Sequence, residues 1–599
     1  MYHVKLARAV EMNNKDIISK YHECKSEKQK YMPLWRDIAK YTGIQVDPDQ
    51  TKNTGDDLDS YTLDPTCSLS TVQSADYLKG IIIGTGDKGF EIMPSDDVLD
   101  IVDVSAVSDW YAYATHVLQR EVNHPKSGFH TAFQSYFYDQ VAFGNSGIGT
   151  FKNDVANDPS ANTLIFREYG VDTMAVDEGK NGVIDIIFNC YEWRTNQFVN
   201  EFCYRNGAFD KVMFEKLPEQ VKSAYNNNEL NKTFKVVQGV LPNEEYDPTK
   251  LGVAGAKYHG VWFLEESKED VFFEEDFKER PISFGRPVKV RGEIYGRAYG
   301  TMLLSSIRCV NEIVNGLMIT LDKMRDPAMG VFGDAITGDA VIDTSAGSLT
   351  TFDPTKLQGN NPMFNLQDIG DPSAIINFLL PYLNEKLATA FKVDLLLDFS
   401  AASNMTATES LQRYSIRNKS ILGLIIQQIN DVYIPTLNRA ISILWDMGKF
   451  GVFPNDELAI QFMKRGLTSR IVPDAVLECV KNGKSWFKIV FNNEVEKISH
   501  TDKIDNLTQL LNIMQALLAV NPQLAQAVDW FKLLQDVSGA LGFDTAIMSE
   551  LEFKKQMQAQ AEQQAQMQQM QMAQIQSQTT KNNAGAVKDI QNGLPDVQQ

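Results

Sequence analysis

Basic residues are in the minority in this sequence. It carries 57 Lys and Arg against 77 Asp and Glu, a formal net charge of −20 over 599 residues. A protein that binds nucleic acid through its phosphates needs cations to displace counterions, so this balance argues against a simple basic nucleic-acid binder. It is compatible with DNA that passes without sticking, because an acidic channel repels a polyanion. It is equally compatible with an acidic surface that keeps a large protein soluble.

Patterns typical of metal binding and membrane insertion are also missing. The six cysteines include no CxxC pair, and the seven histidines form neither HExxH nor a spaced cluster. We therefore expect reduced thiols, no zinc site and no cofactor. No apolar run reaches the roughly 18–20 residues that span a bilayer. The first residues lack the apolar core of a secretory signal, so the sequence favours an intracellular chain that does not contact a membrane.

Signatures of catalysis are scarce as well. The sequence contains no GxxxxGK[ST] phosphate loop and no usable Ser, His and Asp spacing, which argues against an ATPase or a hydrolase. Gly84-Thr85-Gly86-Asp87-Lys88-Gly89 fits the dinucleotide pattern GxGxxG. That pattern needs a strand before it and a helix after it. Here a helix is expected before it and the strand-like Phe90-Glu91-Ile92 follows, so we predict a plain turn and no enzymatic activity.

The stretch with the clearest pattern is 291–325. It opens with Gly292, Gly296 and Gly300, whose missing Cβ suits turns with positive φ. Asp326-Pro327 ends the following helix, because proline disfavours helical backbone in the residue before it. We expect a rod of about 22 residues and roughly 33 Å. Its apolar seam has alternating spacings of four and three, at Leu303, Ile307, Val310, Val314, Leu317, Leu321 and Met324.

Elsewhere helical and strand-like segments alternate, which predicts an α+β fold. The aromatic residues of the segment 128–143 are expected in the core: Phe129, Phe133, Tyr136, Phe137 and Phe143. Helices are expected over 14–42, 68–83, 105–123, 128–143, 210–225, 374–392 with a kink at Pro381, and from Ala407 to Met447 with a bend at Ile434-Pro435. Strands are expected over 90–92, 148–152, 163–168, 183–191, 260–266, 271–273, within 328–353, and over 485–491.

Two motifs make the chain resemble the portal, or head-to-tail connector, proteins of short-tailed bacteriophages. The first is Gly292-Glu293-Ile294-Tyr295-Gly296-Arg297, followed by Val310-Asn311-Glu312 and then Asp326-Pro327. The second is Phe391-Lys392-Val393-Asp394-Leu395, followed by Met405-Thr406-Ala407-Thr408-Glu409, in which Thr406 and Glu409 have the spacing of a helix capping box. The chain departs from the family pattern after Arg297, where Ala298-Tyr299 stand in place of Gly-Pro.

The resemblance implies a portal-type α+β fold with five regions. The clip lies either in 328–353 or within 205–290, and the residues leave both alternatives open. The Gln- and Met-rich run 556–576 fits an ordered barrel or a flexible tail. The regions are 1–300, an α+β wing that includes the clip in one alternative; 301–373, stem helix, clip or tunnel loop; 374–500, helical wing and closing strand; 501–576, helical crown or barrel; and 577–599, a disordered tail.

The resemblance also implies a function. Such proteins form a ring, usually of twelve subunits, at one vertex of the phage head, and the ring is a passive channel for double-stranded DNA. The expected partners are further copies of the chain, major capsid and scaffolding proteins, terminase, tail adaptor proteins and the passing DNA. The expected location is the virion, and the host cytoplasm during assembly. A filamentous scaffolding protein is the alternative, but its heptads would extend further.

The loop 355–372 resembles the tunnel loop of portals, because it is long, polar and without periodicity. Its candidate DNA-facing residues are Lys356, Asn360, Asn361 and Asn365. An ordinary surface loop is the alternative interpretation.

Overall fold

Helices and sheets alternate along the part of the chain that the computed structural model describes, and the α+β class is confirmed. Three groups of predicted features lie outside the described residues: Met405, Thr406, Thr408 and Glu409; the loop residues Lys356, Asn360 and Asn361; and the regions 501–576 and 577–599. The described residues are 14–42, 64–84, 89–153, 162–179, 181–205, 208–243, 246, 255–267, 270–332, 343–352, 363–366, 370–391, 423–454, 456–465 and 467–491.

Most described helices lie within predicted segments, but the helices at 96–99, 195–203, 457–464 and 474–481 are missing from the prediction, and residues 407–422 lie outside the described residues. The carboxylate of Asp64 accepts hydrogen bonds from the backbone N–H and the hydroxyl of Thr66, at 3.1 and 2.7 Å, where the second predicted helix begins. The helices are α1 Asn14–Gln29, α2 Met32–Thr42, α3 Thr66–Ile82, α4 Asp96–Leu99, α5 Val104–Val122, α6 Phe129–Ala142, α7 Thr195–Cys203, α8 Lys211–Lys216, α9 Glu219–Asn226, α10 Tyr299–Met302, α11 Leu304–Arg325, α12 Leu380–Ala390, α13 Ile434–Asp446, α14 Glu457–Lys464 and α15 Asp474–Lys481.

The strands are mainly antiparallel, as predicted. The largest sheet has the order β10-β9-β8-β5-β4, and smaller sheets have the orders β11-β2-β3, β13-β12-β14, β1-β15 and β6-β7. Only the pairing of β12 with β13 is parallel among the described strands. The strands are β1 Phe90–Pro94, β2 Ser146–Lys152, β3 Leu164–Tyr169, β4 Met174–Glu178, β5 Ile184–Arg194, β6 Tyr204–Arg205, β7 Ala208–Phe209, β8 Thr233–Pro242, β9 Tyr258–Leu264, β10 Val271–Phe277, β11 Ile282–Gly285, β12 Met329–Phe332, β13 Leu349–Phe352, β14 Met363–Asn365 and β15 Phe487–Phe491.

Strand β8 is missing from the sequence-based prediction, although it is the middle strand of the largest sheet. It pairs with β5 on one side and with β9 on the other. All residues from Val236 to Leu241 are buried. A strand buried on both faces reads as a continuous run and lacks the alternation that identifies a half-exposed strand.

The largest apolar cluster joins α3, α5 and α6 with α13 and the β1-β15 sheet. The aromatic residues predicted for the core are at most 1% exposed, and Phe133 meets Tyr433 edge-on at 5.7 Å between ring centroids. The elements on either side of the GxGxxG segment are those predicted, whereas residues 85–88 lie outside the described residues. A helix, α3, precedes it, Gly84 adopts φ +79°, and the strand β1 follows. This order is the reverse of that in a dinucleotide-binding turn.

The two prolines that were expected to bend helices each follow a π-helical turn. Ile375–Leu379 and Ile429–Tyr433 are π-helical, and each continues into an α-helix whose second residue is proline. At these junctions Leu380 N–H donates to Ile375 O, and Ile434 N–H donates to Ile429 O. Within an α-helix, proline lacks the N–H that would form a hydrogen bond, and its ring collides with the carbonyl four residues earlier. The hydrogen bonds of a π-helical turn span one more residue, so the turn accommodates the proline and the helix continues.

Candidate functional site

The first sequence motif forms a compact turn, residues 286–301, which we call the motif turn. It leads from β11 through α10 into α11. Val288 and Arg297 form an antiparallel bridge in which the Arg297 N–H donates to the Val288 carbonyl at 2.9 Å. Gly292 adopts φ +84° at the tip. The bridge closes the segment into a hairpin-like loop and fixes the position from which α11 departs.

Glu293 and Arg297 form a forked ion pair within the motif turn. Arg297 Nε donates to Glu293 Oε2 at 3.0 Å, and Arg297 Nη2 donates to Oε1 at 2.7 Å. These hydrogen bonds lower the pKa of Glu293. Parallel N–H···O bonds of this kind impose a fixed geometry on the two side chains. Their role here is to hold the loop closed, because both partners lie within it.

Tyr295 anchors the motif turn in the protein interior. It is 1% exposed, and its ring packs against Tyr31 and Trp35 at centroid distances of 5.1 and 5.2 Å. Its hydroxyl accepts a hydrogen bond from Val176 N–H of β4 at 3.3 Å. Burial raises the pKa of Tyr295. The tyrosine of the motif therefore ties the turn to α2 and to the largest sheet.

Gly296 and Gly300 are required for close contact and not for positive φ, which corrects the prediction for these two positions. A Cβ on Gly296 would lie 2.8 Å from Gly144 O, and one on Gly300 would lie 2.8 Å from Ala142 O. Gly296 also exchanges two hydrogen bonds with the buried Asn145 side chain, at 2.8 and 2.9 Å. The turn thus packs directly onto the backbone at the end of α6.

Arg286 connects the motif turn to three other segments. Its buried guanidinium pairs with Glu178 of β4 and donates to Ile294 O at 2.8 Å and Gly182 O at 3.0 Å. Its own carbonyl accepts from Gln427 Nε2 at 2.8 Å. Partial burial alone would raise the pKa of Glu178, but hydrogen bonds from Arg286 and from Lys289 hold it below its usual value.

Helix α11 is covered by the described part of its own subunit mainly along its first half. Leu304, Ile307, Val310 and Asn311 are buried, and Arg308 pairs with Asp37 of α2 at 2.5 Å. Of the predicted seam, Leu317 is also buried, and Leu303 and Val314 are half-buried. Leu321 is 46% exposed and Met324 is 47% exposed. The motif residue Glu312 is exposed.

Further apolar side chains are exposed on the segment that packs on α11. Helix α12 contacts α11, and Phe378, in the π-turn before it, is 76% exposed. We call the following side chains the exposed apolar set: Met318, Ile319, Leu321 and Met324 on α11, and Ile375, Ile376, Phe378, Leu379 and Tyr382 on the π-turn and α12. Large apolar side chains exposed together on two contacting segments are typical of a surface that binds a partner.

The three strands of the small sheet β13-β12-β14 follow α11 and precede α12 along the chain. Phe352 and Phe364 pack at 5.5 Å, and a Cβ on Gly330 would lie 2.6 Å from the Phe364 ring. Asn365, one of the candidate DNA-facing residues, ends β14 opposite Met329 and is exposed. The structure therefore places one of these four candidates and leaves the others outside the described residues.

The described residues contain no group of three or more His, Cys, Asp and Glu side chains that could hold a metal ion. All six cysteines are free thiols. No helix among the described residues has both the length and the apolar character needed to cross a membrane. The motif turn joins elements of the fold and presents no cluster of reactive groups.

Several residues that hold the motif turn are not identified from the sequence. Asn145 follows Gly144 in a turn-like stretch, which gives a weak signal of its role. No local signal identifies Arg286, Glu178 or Trp35. Arg286 and Glu178, which form an ion pair, are more than 100 residues apart in the sequence, and so are Trp35 and Tyr295, whose rings are in contact. Such contacts emerge only when the chain is folded.

Two comparisons show which known proteins the chain is similar to. Residues 14–474 match a family of proteins described as bacteriophage head to tail connecting protein. The chain is also similar to a probable portal protein of Bordetella phage BPP-1, with 21% identity over 441 residues that cover 72% of this chain and 74% of that protein. The family match contains both sequence motifs, the motif turn, α11 and α12.

Proposed function

The chain belongs to the family of bacteriophage head to tail connecting proteins, and from this premise we propose that it assembles into a ring of twelve subunits at one vertex of the phage head. A head-to-tail connecting protein acts in the virion, where it joins the head to the tail. Nothing in the family or in the described residues indicates catalysis. We infer that the ring is a passive channel for double-stranded DNA during packaging and ejection.

The observation that carries the ring is the half-covered α11. Its first half is packed against its own subunit. Its second half, apart from the buried Leu317, presents the exposed apolar set together with the π-turn and the start of α12. Covering that surface with a neighbouring subunit would remove apolar area from water and stabilise the assembly. If the surface contacts a different surface of the next copy, the contact is heterologous and closes into a ring when its rotation permits.

We expect the channel to let DNA move, because few Lys and Arg side chains would be available to bind its phosphates. Each chain contributes a net charge of −20, and a polyanion bound by few Lys and Arg side chains makes few counterion-releasing contacts. We assign the region 355–372 to the channel wall. Its candidate DNA-facing residues remain Lys356, Asn360, Asn361 and Asn365, of which the exposed position of Asn365 supports the assignment.

The order of structural elements favours one of the two clip assignments. The small sheet β13-β12-β14 directly follows α11 and directly precedes the π-turn and α12. In contrast, β8, β9 and β10 belong to the largest sheet together with β4 and β5. We therefore favour the clip at 328–353, directly after α11 as a stem helix. The remaining region boundaries stay as predicted from the sequence.

The proposed partners follow from the sequence of events at such a vertex. Major capsid and scaffolding proteins would surround the ring during assembly in the host cytoplasm. Terminase would dock during packaging, and tail adaptor proteins would replace it afterwards. The family name supports association with head and tail.

Electron microscopy of the purified chain, with mass from light scattering, tests the ring. The wild type should give rings with a central hole and a mass near twelve times 67.3 kDa. Leu321→Asp should reduce ring formation, because it places a charge in the proposed apolar interface. Asn315→Asp is the matched control, since it adds the same charge at an exposed polar position of α11. Equal ring yields from the two variants would remove α11 from the interface.

A further inference from the structure

Helix α14 is poorly covered by its own subunit. It packs on the turn Thr468–Arg470, and only Ala459 of its eight residues is buried. Three of its apolar side chains are more than half exposed, and Phe453, shortly before the helix, is 45% exposed. Its carboxylates, Asp456 and Glu457, lie at the start of the helix, and its exposed cations lie at the end. We call the following side chains the α14 surface: Phe453, Leu458, Ile460, Met463, Lys464 and Arg465.

A second uncovered surface lies where the chain enters α5. Three apolar side chains of this segment are 36–54% exposed, and two exposed carboxylates lie between them. By contrast, Asp96 and Asp97, which precede the segment, pair with the amines of Lys488 and Lys484, at 3.6 and 3.0 Å. We call the following side chains the α5 entry surface: Leu99, Asp100, Ile101, Asp103 and Val104.

The two surfaces carry opposite charges that are not neutralised within the described part of the subunit. Neither Lys464 and Arg465 nor Asp100 and Asp103 form an ion pair with another described residue. These charges also suit the dipoles of their helices, because cations are favourable at a C-terminus and anions at an N-terminus. The dipoles do not account for the exposed apolar side chains beside the charges. A contact between the two surfaces would pair the charges and remove that apolar area from water.

Helix α5 separates the two surfaces within the subunit. Val104 begins α5, whereas the guanidinium of Arg470, in the turn that supports α14, lies over the Tyr113 ring of α5, 5.9 Å from its centroid. Val104 and Tyr113 are nine residues apart, which places them on opposite sides of the helix and about 13 Å apart along its axis. Two different surfaces on different sides of one subunit are what a heterologous contact requires.

We propose that the α14 surface of one copy binds the α5 entry surface of the next copy in the ring. This inference rests on the proposed ring and adds a second contact to that of the exposed apolar set. A second copy suits the α14 surface because it brings a complementary one, in which carboxylates and apolar side chains alternate. Each subunit then uses its α14 surface toward one neighbour and its α5 entry surface toward the other.

Charge reversal tests this contact without disturbing the core, because the altered side chains are exposed. One variant carries Lys464→Glu with Arg465→Glu, and the other carries Asp100→Lys with Asp103→Lys. Each variant alone should lose the ring peak near twelve times 67.3 kDa, because its two surfaces then repel each other. An equal mixture of the two should regain the peak, because every contact in an alternating ring of even number joins opposite charges.

Lys211→Glu with Lys216→Glu on α8 is the matched control. It makes the same change of charge at exposed positions outside both surfaces and should leave ring formation unchanged. Rings from both reversal variants alone would overturn the proposal and assign the α14 surface to a different protein. A mixture that fails to form rings, like each variant alone, would overturn it too.

Two further outcomes separate this proposal from its alternatives. If the α14 reversal lowers the thermal midpoint and leaves the rings intact, another part of the same chain covers the α14 surface, and the proposal is overturned. A wild type that forms no rings contradicts the proposed function itself, and the inference falls with it. Wild-type rings together with unaffected variants overturn the inference alone.

Carbodiimide cross-linking of wild-type rings requires no variant. The reagent joins an amine to a carboxylate in contact with it, and rings that mix isotopically labelled and unlabelled chains show by mass spectrometry which links connect two subunits. We expect a link between subunits from Lys464 to Asp100 or Asp103. Lys278 and Asp446, which pair at 2.9 Å within the subunit, are the positive control. Rings in which this control pair is linked and Lys464 is not linked to the α5 entry surface overturn the proposal.

Discussion

Three carboxyl side chains converge near Gly170 in the interior of the subunit. A Cβ placed on Gly170 would lie 2.7 Å from Asp139 Oδ2, 2.8 Å from Asp172 Oδ1 and 3.4 Å from Glu168 Oε1. Burial, together with the neighbouring carboxylates, raises the pKa of Asp139 well above its usual value and raises that of Glu168 to about 7. A proton retained by this cluster keeps like charges from being buried together.

The stability of the subunit should consequently fall as the pH rises from about 5 to about 7. Between these values the folded protein retains a proton that the unfolded chain releases, so unfolding is favoured by rising pH. The contribution is fully present below the unfolded pKa of Glu168 and is lost once the pH passes about 7. Glu168→Gln should flatten this dependence and stabilise the protein at pH 8 by about 1–3 kcal/mol. Denaturant unfolding across this pH range measures both effects.

Glu201→Gln is the control for the pH experiment, because Glu201 is an exposed carboxylate on α7. This variant should keep the pH dependence of the wild type. An equal slope in the wild type and in Glu168→Gln would show that the carboxyl cluster does not control stability in this range.

Gly296 should be among the least replaceable residues of the motif turn. A Cβ at this position would meet Gly144 O at 2.8 Å and Arg286 Cβ at 2.9 Å. Gly296→Ala should therefore destabilise the subunit by about 2 kcal/mol or more, as overpacking against rigid neighbours does. Gly316→Ala on α11 is the opposite case, because nothing lies within 4 Å of the new Cβ. It should stabilise the helix by about 0.5–1 kcal/mol. Thermal unfolding of the two variants separates these outcomes, and a neutral Gly296→Ala would contradict the close-contact role.

At the scale of elements, the two halves of α11 should respond differently to truncation. Val310 is 1% exposed, so Val310→Ala should lower subunit stability by about 1–3 kcal/mol. Leu321 is largely exposed, so Leu321→Ala should leave the unfolding of the isolated subunit nearly unchanged while it weakens ring assembly. Subunit unfolding and ring mass, measured on the same samples, distinguish the two effects. A large loss of subunit stability in Leu321→Ala would place that residue in the core of the subunit.

The same elements show how far the sequence predicts this fold. Helix α11 is predicted with nearly its observed bounds, because its apolar spacing and its terminating Asp326-Pro327 are local signals. The seam does not reveal which residues the subunit itself covers, because that depends on α2 and α12. Strand β8 escapes prediction because it is buried on both faces and lacks the alternation of a half-exposed strand. Of the candidate site, the motif residues are found from the sequence, whereas their partners Asn145 and Arg286 require the folded structure.

At the scale of the whole molecule, the net charge of −20 per chain bears on the proposed passage of DNA through the ring. A dedicated binder neutralises many phosphates, and its affinity then falls steeply as salt rises. A channel that must release its cargo should make few such contacts. We therefore expect assembled rings to bind double-stranded DNA weakly at low salt and with a shallow dependence of affinity on salt. Fluorescence anisotropy of a labelled duplex, titrated with rings at several salt concentrations, measures both quantities.

The loop residue Lys356 provides the internal control for the DNA prediction, because it is the one cation among the candidate channel residues. If it contacts phosphate in the ring, Lys356→Gln should make the already shallow salt dependence shallower by roughly one phosphate contact. Lys278→Gln removes a cation that is paired with Asp446 at 2.9 Å, and it should leave DNA binding unchanged. Tight binding that weakens steeply with salt would contradict the passive channel, because DNA held by many phosphate contacts would have to break them at each step of its passage.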